Sequence, residues 1–243
     1  IKNNVKGHWT NMDVFDGLPS NFVSDILIED SGEIWISTWA GLCYYNKSKM
    51  KIYDNTMENF PKSSINSLYK DSKDRIWAGL GGAGALYIHN DTIQVFNEEH
   101  GLLSNRVNVI NEDVDGNILF GGNRGFSIYN GEKFENYNLY NGLGSSYIND
   151  IQVYGNNIWL ASGYGNLIHY DGKNFNNYNE DDGLNNRGWI SEIGIIDSND
   201  IWFGGVYGLW HFDGNKFRHF NELDGLVYTN VNDIYIDKNK ELW

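Results

Sequence analysis

Apolar and polar residues alternate in short runs along most of the chain, and clusters of turn residues separate the runs. Typical runs are VSDILIED, EIWIST, GLCYYN and KMKIYDN, and typical separators are DSGE, NGEK and DGNK. Such runs, bounded by Gly, Asn and Asp, are typical of short β-strands. No run places apolar residues at i, i+3, i+4 and i+7 over a helical length, so almost no helix is predicted.

The pattern of four runs repeats at a regular spacing. One marker position in the second run of each unit recurs after 42, 42, 40, 43 and 41 residues, and it is occupied in turn by Trp35, Trp77, Leu119, Trp159, Trp202 and Trp243. A four-stranded β unit with this period is typical of a propeller blade. We therefore predict an all-β fold, a β-propeller, in which the repeated tryptophans pack between adjacent blades.

The number of units predicts six blades in a single domain that spans residues 1–243. The units cover approximately residues 17–58, 59–100, 101–141, 142–182, 183–224 and 225–243. The last unit stops inside its second strand, and residues 1–16 resemble the end of a unit, since Met12 precedes Leu18 by six residues as Tyr178 precedes Leu184. A composite blade is expected, in which residues 225–243 are completed by residues 1–16. The chain could equally be a fragment of a longer one.

The first unit carries the most complete motif. It contains Gly17-Leu18-Pro19-Ser20-Asn21, Asp30, Gly32, Ile34-Trp35-Ile36-Ser37-Thr38 and Gly41-Leu42. This motif resembles the two-component regulator propeller repeat. The resemblance implies the periplasmic or cell-surface sensor region of a bacterial signalling receptor, such as a hybrid histidine kinase, with an attached kinase module. It also implies a binding role without catalysis, and members of this family often respond to oligosaccharides.

Composition excludes several kinds of partner. With 18 basic and 32 acidic residues the formal net charge is −14, so nucleic acid and anionic membrane surfaces are not expected to bind. No stretch approaches the roughly 18 apolar residues of a membrane span, so no membrane insertion of this segment is expected. A single cysteine, Cys43, excludes a disulfide framework and a multi-cysteine metal site. No metal and no cofactor are predicted.

Candidate binding residues are expected in the loops that join strand four to strand one and strand two to strand three. In a propeller these loops share one face, around the mouth of the central channel. The residues there that depart from the repeat form the predicted ligand site: Trp39, Arg106, Arg124, Tyr147, Tyr164, Arg187, Trp189 and Tyr207. Trp and Tyr offer flat stacking faces, and Arg offers a planar fork for carboxylate or sulfate. An oligosaccharide, in particular an acidic one, or another small ligand fits this set. The alternative is that each Arg pairs with an acid of a neighbouring loop.

Catalysis is not predicted. The sequence has no G-x-S-x-G, H-E-x-x-H or phosphate-loop motif. Acids recur in the first strand near the expected axis, at Asp25, Asp150 and Asp233, where packing or a solvated channel is the expected role. Two other functions remain open. One is a structural or protein-interaction propeller of a cell-surface or secretion complex. The other is a propeller lyase or glycosidase.

Overall fold

The computed structural model describes residues 11–184 and 188–243. In these ranges the chain forms five antiparallel four-stranded sheets, in which each strand pairs with the next along the chain. We call the sheets blades 1 to 5, in chain order. Blades 1 to 3 contain β1 (Val23–Ile28), β2 (Ile34–Thr38), β3 (Gly41–Tyr45), β4 (Met50–Asp54), β5 (Ile65–Lys70), β6 (Ile76–Leu80), β7 (Ala85–His89), β8 (Thr92–Phe96), β9 (Val107–Glu112), β10 (Ile118–Gly122), β11 (Phe126–Tyr129) and β12 (Phe134–Tyr137). Blades 4 and 5 contain β13 (Ile148–Tyr154), β14 (Asn157–Ser162), β15 (Leu167–Tyr170), β16 (Phe175–Tyr178), β17 (Ile190–Asp197), β18 (Asp200–Gly205), β19 (Gly208–Phe212) and β20 (Phe217–Phe220). The all-β prediction is confirmed.

Strand burial follows position in the blade. β6 is buried along its whole length, because it has a strand on each side and a sheet on each face. β8 is the outer strand, and there exposed and partly buried residues alternate. A continuous apolar run therefore marks a second strand, and an alternating run marks a fourth strand.

The cores lie between successive blades. Trp35 and Tyr53 of blade 1 pack with Ile65 and Ile76 of blade 2 in one buried cluster. Equivalent clusters join the later pairs of blades. The predicted burial of the repeated tryptophans is confirmed at positions 35, 77 and 159, and Trp202 is partly buried. The prediction is wrong for Trp243, which is 71% exposed because the described residues place no blade against its outer face.

A bulge at the second residue of each first strand ties neighbouring blades together. The register shifts at this point in all five blades. A bulge re-aims a side chain, and here three asparagine amides point at the next blade. Asn66, Asn108 and Asn149 each donate to the carbonyl that begins the next first strand, over 2.9, 2.9 and 2.7 Å. The first strands therefore lie side by side around the inner edge of the blades.

Four short 3₁₀ helices, which the sequence pattern did not predict, follow the outer strands of blades 2 to 5. They span Glu98–His100, Leu139–Asn141, Glu180–Asp182 and Glu222–Asp224. Each begins after a capping Asn and ends at a Gly in the left-handed conformation. The Asn side chain satisfies free backbone N–H groups, and only Gly adopts the closing conformation without strain. The third residue of each helix completes the turn, because its side chain accepts the backbone N–H of the capping Asn. The side chains of the first two residues of each helix face solvent.

The C-terminal segment begins a further unit. Val231 N–H donates to the Gly205 carbonyl, and Tyr235 and Trp243 exchange two backbone hydrogen bonds of 3.1 and 2.8 Å. At the other end of the chain, Met12 packs on Ile36 and Cys43. Residues 1–10 lie outside the described residues, so the six-blade count, the composite blade and the limits of the domain stay predictions.

Candidate functional site

The two groups of loops predicted to share a face are joined by backbone hydrogen bonds within blades 1, 2, 4 and 5. In blade 1, Trp39 N–H donates to the Phe22 carbonyl, and in blade 5, Val206 N–H donates to the Trp189 carbonyl. Blade 4 repeats the bond between residues 163 and 147. In these blades the residue before the first strand is therefore held beside the loop after the second strand, and these positions gather at one end of the inner strands. We call this surface the mouth face.

An exposed aromatic stack marks the mouth face of blade 1. The rings of Phe22 and Trp39 lie 4.5 Å apart at 15°, and each side chain is 60% exposed. Two large parallel rings that remain mostly in water provide a flat apolar surface for a ligand. Trp39 was predicted from the sequence as a site residue, and Phe22 was not.

A second aromatic group spans blades 4 and 5. The rings of Tyr147 and Trp189 are 5.1 Å apart, so these two predicted site residues are in contact. A Cβ on Gly163 would lie 3.0 Å from the Tyr147 ring, and a Cβ on Gly188 would lie 2.4 Å from the Tyr207 ring. Both tyrosines therefore rest on glycines, which leave room for a ring that any larger residue would displace. Tyr164 is also exposed, at 70%.

The predicted arginines differ in their surroundings. The guanidinium of Arg124 forms an ion pair with Glu98 at 3.0 Å, as the alternative reading of the sequence predicted. Arg106 is exposed, and its Nε donates over 3.3 Å to the amide oxygen of Asn108. Arg187 lies outside the described residues. On the mouth face, Arg106 is therefore a cation whose hydrogen-bond partner is neutral. Arg124 is a cation that already forms an ion pair.

A cavity of about 340 Å³ opens beside Arg124. Leu103, Leu139 and Tyr140 form its apolar part, and Tyr140 is 99% exposed. The sequence analysis missed Leu139 and Tyr140. The sequence feature that could have indicated them is the pair of apolar residues between Asn138 and Gly142, because the equivalent turns carry acidic residues there.

Acidic side chains lie below the mouth face along the first strands. Burial raises the pKa of Asp25 and of Asp150. Burial, followed by the negative charges of Asp150, Asp233 and Asp25, raises the pKa of Glu192 to about 9. Glu192 is thus protonated at neutral pH. The sequence analysis had named the three aspartates and missed Glu192, because Glu breaks the repetition of Asp in that column.

The arrangement of these acids favours a structural role. Asp150 is buried and accepts backbone N–H bonds from Ile151 at 2.7 Å and from Ile193 of blade 5 at 2.9 Å. Asp25 accepts from Leu68 of blade 2 at 2.7 Å in the same way. A carboxylate committed to backbone donors links two blades, as the predicted packing role requires.

Other reactive groups lie away from the mouth face. Burial raises the pKa of the Cys43 thiol to about 11, so the thiol stays protonated and unreactive. Across residues 11–184 and 188–243, no three His, Cys, Asp or Glu side chains are arranged to hold a metal ion. In the same ranges, no helix has the length and apolar character that crossing a membrane requires.

These features define a β-propeller with an aromatic mouth face. Residues 17–40 match the sequence profile of the family described as two component regulator propeller. The predicted resemblance of the first unit is therefore confirmed. No curated protein matches the chain.

Solved structures share the fold. The chain is similar to the extracellular domain of the putative hybrid two component system BT3049 from B. thetaiotaomicron, with 23% identity, a TM-score of 0.79 and coverage of 92% of this chain and 32% of that one. Virginiamycin B lyase from Staphylococcus aureus has 15% identity, a TM-score of 0.74 and coverage of 91% and 76%. PorZ, a surface component of the type-IX secretion system of Porphyromonas gingivalis, has 15% identity, a TM-score of 0.69 and coverage of 88% and 36%. The chain spans about a third of the length of the BT3049 chain.

Proposed function

We propose that this propeller is the extracytoplasmic sensor region of a bacterial signalling receptor, and that it binds an oligosaccharide without converting it. The observation that carries the proposal is the pair of exposed aromatic groups on the mouth face, Phe22 with Trp39 and Tyr147 with Trp189. Sugar rings present apolar C–H faces that stack on such surfaces. The fold shared with extracellular domains of hybrid two-component systems supports the location.

The charges on the protein help to decide whether the oligosaccharide is neutral or acidic. Glu98 already neutralises Arg124. The formal net charge of −14 repels anions at long range. These facts favour a neutral oligosaccharide over the acidic one that the arginines predicted from the sequence.

Binding to a glycan array, followed by titration calorimetry with the best glycan, tests the proposal. Removing both aromatic groups in Trp39→Ala/Trp189→Ala is expected to weaken binding at least about tenfold, because both stacking faces are lost. Tyr154→Ala removes an exposed aromatic side chain at the far end of the first strand of blade 4 and is the control. Equal affinity of the double variant and the parent would overturn the site.

A protein-interaction role is the second candidate. Three apolar side chains project almost completely into solvent, each more than 90% exposed: Phe15 from the turn before β1, and Tyr140 and Leu223 from turns that follow outer strands. Exposed apolar residues on one rim favour a protein partner, and PorZ is a propeller-containing secretion component. Cross-linking of a Phe15→Asp/Leu223→Asp variant distinguishes the roles. Loss of a partner with retained glycan binding favours the protein interface, and the reverse favours the sensor.

A further inference from the structure

Two neighbouring first strands carry matching pairs of side chains at two levels. Tyr147 and Trp189 occupy the positions just before β13 and β17, and Asp150 and Glu192 follow them by three residues. At about 3.3 Å per residue, the two levels are roughly 10 Å apart along the strands. The carboxyl pair Asp150–Glu192 therefore lies below the aromatic pair Tyr147–Trp189, at the same interface between blades 4 and 5.

Three lateral contacts join β13 to β17, in order from the mouth face inward. The rings of the aromatic pair come first, with centroids 5.1 Å apart. The side-chain amide of Asn149 then donates to the carbonyl of Ile190 over 2.7 Å. Asp150 accepts the backbone N–H of Ile193 over 2.9 Å, beside its contact with the Glu192 carboxyl group. The spacing of the two aromatic rings thus depends on contacts made deeper in the same interface.

The carboxyl pair is held by a hydrogen bond between a protonated and an ionised group. Burial, followed by the negative charges of Asp150, Asp233 and Asp25, raises the pKa of Glu192 to about 9. Glu192 thus keeps its proton at neutral pH, and its O–H donates to the Asp150 carboxylate. Gln152 Nε2 adds a neutral donor to Asp150 at 3.3 Å. In this state the pair carries one negative charge.

Removal of the Glu192 proton places two adjacent negative charges in this interface. The groups that act on Glu192 from other elements are also acidic: Asp150 of β13, Asp25 of β1 and Asp233 of the C-terminal segment. The other packed strands add little charge, because β14 consists of uncharged residues and Asp200 lies at the opposite end of β18. Like charges repel strongly where water is excluded. Repulsion is therefore expected to separate β13 from β17 at this level.

The aromatic pair and the carboxyl pair occur together only between blades 4 and 5 in the described part of the chain. In blades 1, 2 and 3 and in the C-terminal segment, the two positions hold Phe22 and Asp25, Ser64 and Ser67, Arg106 and Val109, and Asn230 and Asp233. Neighbouring units there do not supply two aromatic rings and two carboxyl groups at one interface. The coincidence between blades 4 and 5 therefore departs from the repeat at both levels.

We propose that the singly protonated carboxyl pair Asp150–Glu192 positions the aromatic pair Tyr147–Trp189, and that loss of the shared proton opens the interface and weakens ligand binding at the mouth face. The effect on binding rests on the proposed function, and the effect on the aromatic contact does not. Both carboxyl residues are positioning residues, because they act through the strands and not by contact with a sugar. Affinity is full at neutral pH and is lost as the pH rises through the raised pKa of Glu192, about 9.

Acrylamide quenching of tryptophan fluorescence tests the aromatic contact without a ligand. Each protein is measured against its Trp189→Phe counterpart, so that the difference reports the Trp189 indole. We expect quenching of Trp189 to increase between pH 7 and pH 9.5 in the parent and to stay constant in Glu192→Gln, whose amide still donates to Asp150 and cannot ionise. Glu132→Gln, in an exposed turn of blade 3, is the matched control and should respond like the parent. The same quenching at both pH values in the parent, or the same increase in Glu192→Gln, would overturn the proposal.

Titration calorimetry with the glycan selected on the array tests the effect on binding. Its affinity for the parent is expected to fall at least about fivefold between pH 7 and pH 9.5, and its affinity for Glu192→Gln is expected to stay constant, with folding at both pH values checked by circular dichroism. Glu192→Ala removes the donor to Asp150 and should bind the glycan more weakly already at pH 7.

The outcomes separate this proposal from the proposed function. An equal fall of affinity in the parent and in Glu192→Gln would overturn the role of the carboxyl pair while the glycan site stands. If no glycan binds at either pH, the proposed function fails, and the quenching experiment still decides whether the carboxyl pair positions the aromatic pair. If Glu192→Ala does not fold, the comparison of the parent with Glu192→Gln decides.

Discussion

The side-chain amide of Asn108 donates to the backbone carbonyl of Ile148, 2.9 Å away in the next blade. The bond joins two inner strands that the chain separates by forty residues. Asn66 and Asn149 make the same contact with the blades that follow them. Blades 2, 3 and 4 are therefore each linked to the next blade near the axis by one asparagine.

Replacing Asn108 by Ala is expected to lower the free energy of unfolding by about 1–3 kcal/mol, because the Ile148 carbonyl loses its donor at a buried position. Asn215→Ala, in an exposed turn where the side chain serves no neighbouring blade, is the control. Urea denaturation followed by tryptophan fluorescence measures both. Equal stability of the two variants would show that water replaces the amide without loss.

Stability is expected to fall as the pH rises through the neutral range. The pKa of Glu192 is raised from 4.5 to about 9 in the folded protein, so the folded chain keeps a proton that the unfolded chain releases. The loss begins near pH 4.5 and ends near pH 9, with a slope of at most about 1.4 kcal/mol per pH unit. Urea denaturation between pH 5 and 9 measures this slope. Glu192→Gln cannot ionise and should show a flatter profile.

Trp77 and Trp243 occupy equivalent positions in the repeat, and their burial differs. Trp77 is fully buried and donates to Asp71, and Trp243 is mostly exposed. Trp77→Ala is expected to cost about 3–5 kcal/mol in a denaturation experiment, and Trp243→Ala less than about 1 kcal/mol. A large loss at Trp243 would instead reveal a blade packed against its outer face.

Gly205 leaves room for the backbone of Trp189 on the mouth face of blade 5. A Cβ at this position would lie 1.7 Å from the carbonyl oxygen of Trp189, so Gly205→Ala must displace the Trp189 loop. We expect a loss of roughly 1–3 kcal/mol in stability and a changed fluorescence of Trp189. Gly82→Ala, where no atom lies within 4 Å of the new Cβ, is the control. An unchanged spectrum in Gly205→Ala would contradict the packing of this loop.

The fold could be predicted from the repeat, because the recurring Trp of the marker position, the turn residues and the period all follow from the packing of one blade on the next. Positions that depart from the repeat had to be interpreted singly. Two of the predicted site residues, Tyr147 and Trp189, are in contact. Phe22, which occupies the same position before the first strand of blade 1, was not among the predicted residues. The pairing of Arg124 with Glu98 joins residues 26 positions apart, and no local pattern shows which acid a given Arg meets.

In the short turns after the outer strands, the residues that hold the backbone are different from the residues whose side chains vary between blades. Their backbone depends on a capping Asn and a closing Gly, and the two residues that follow the Asn are Glu-Glu, Leu-Tyr, Glu-Asp and Glu-Leu in successive blades. Substitutions at these positions leave the hydrogen bonds of the turn intact. A lineage carrying this domain can therefore change the chemistry of its rim one blade at a time, so that selection for a new partner need not compete with selection for a folded protein.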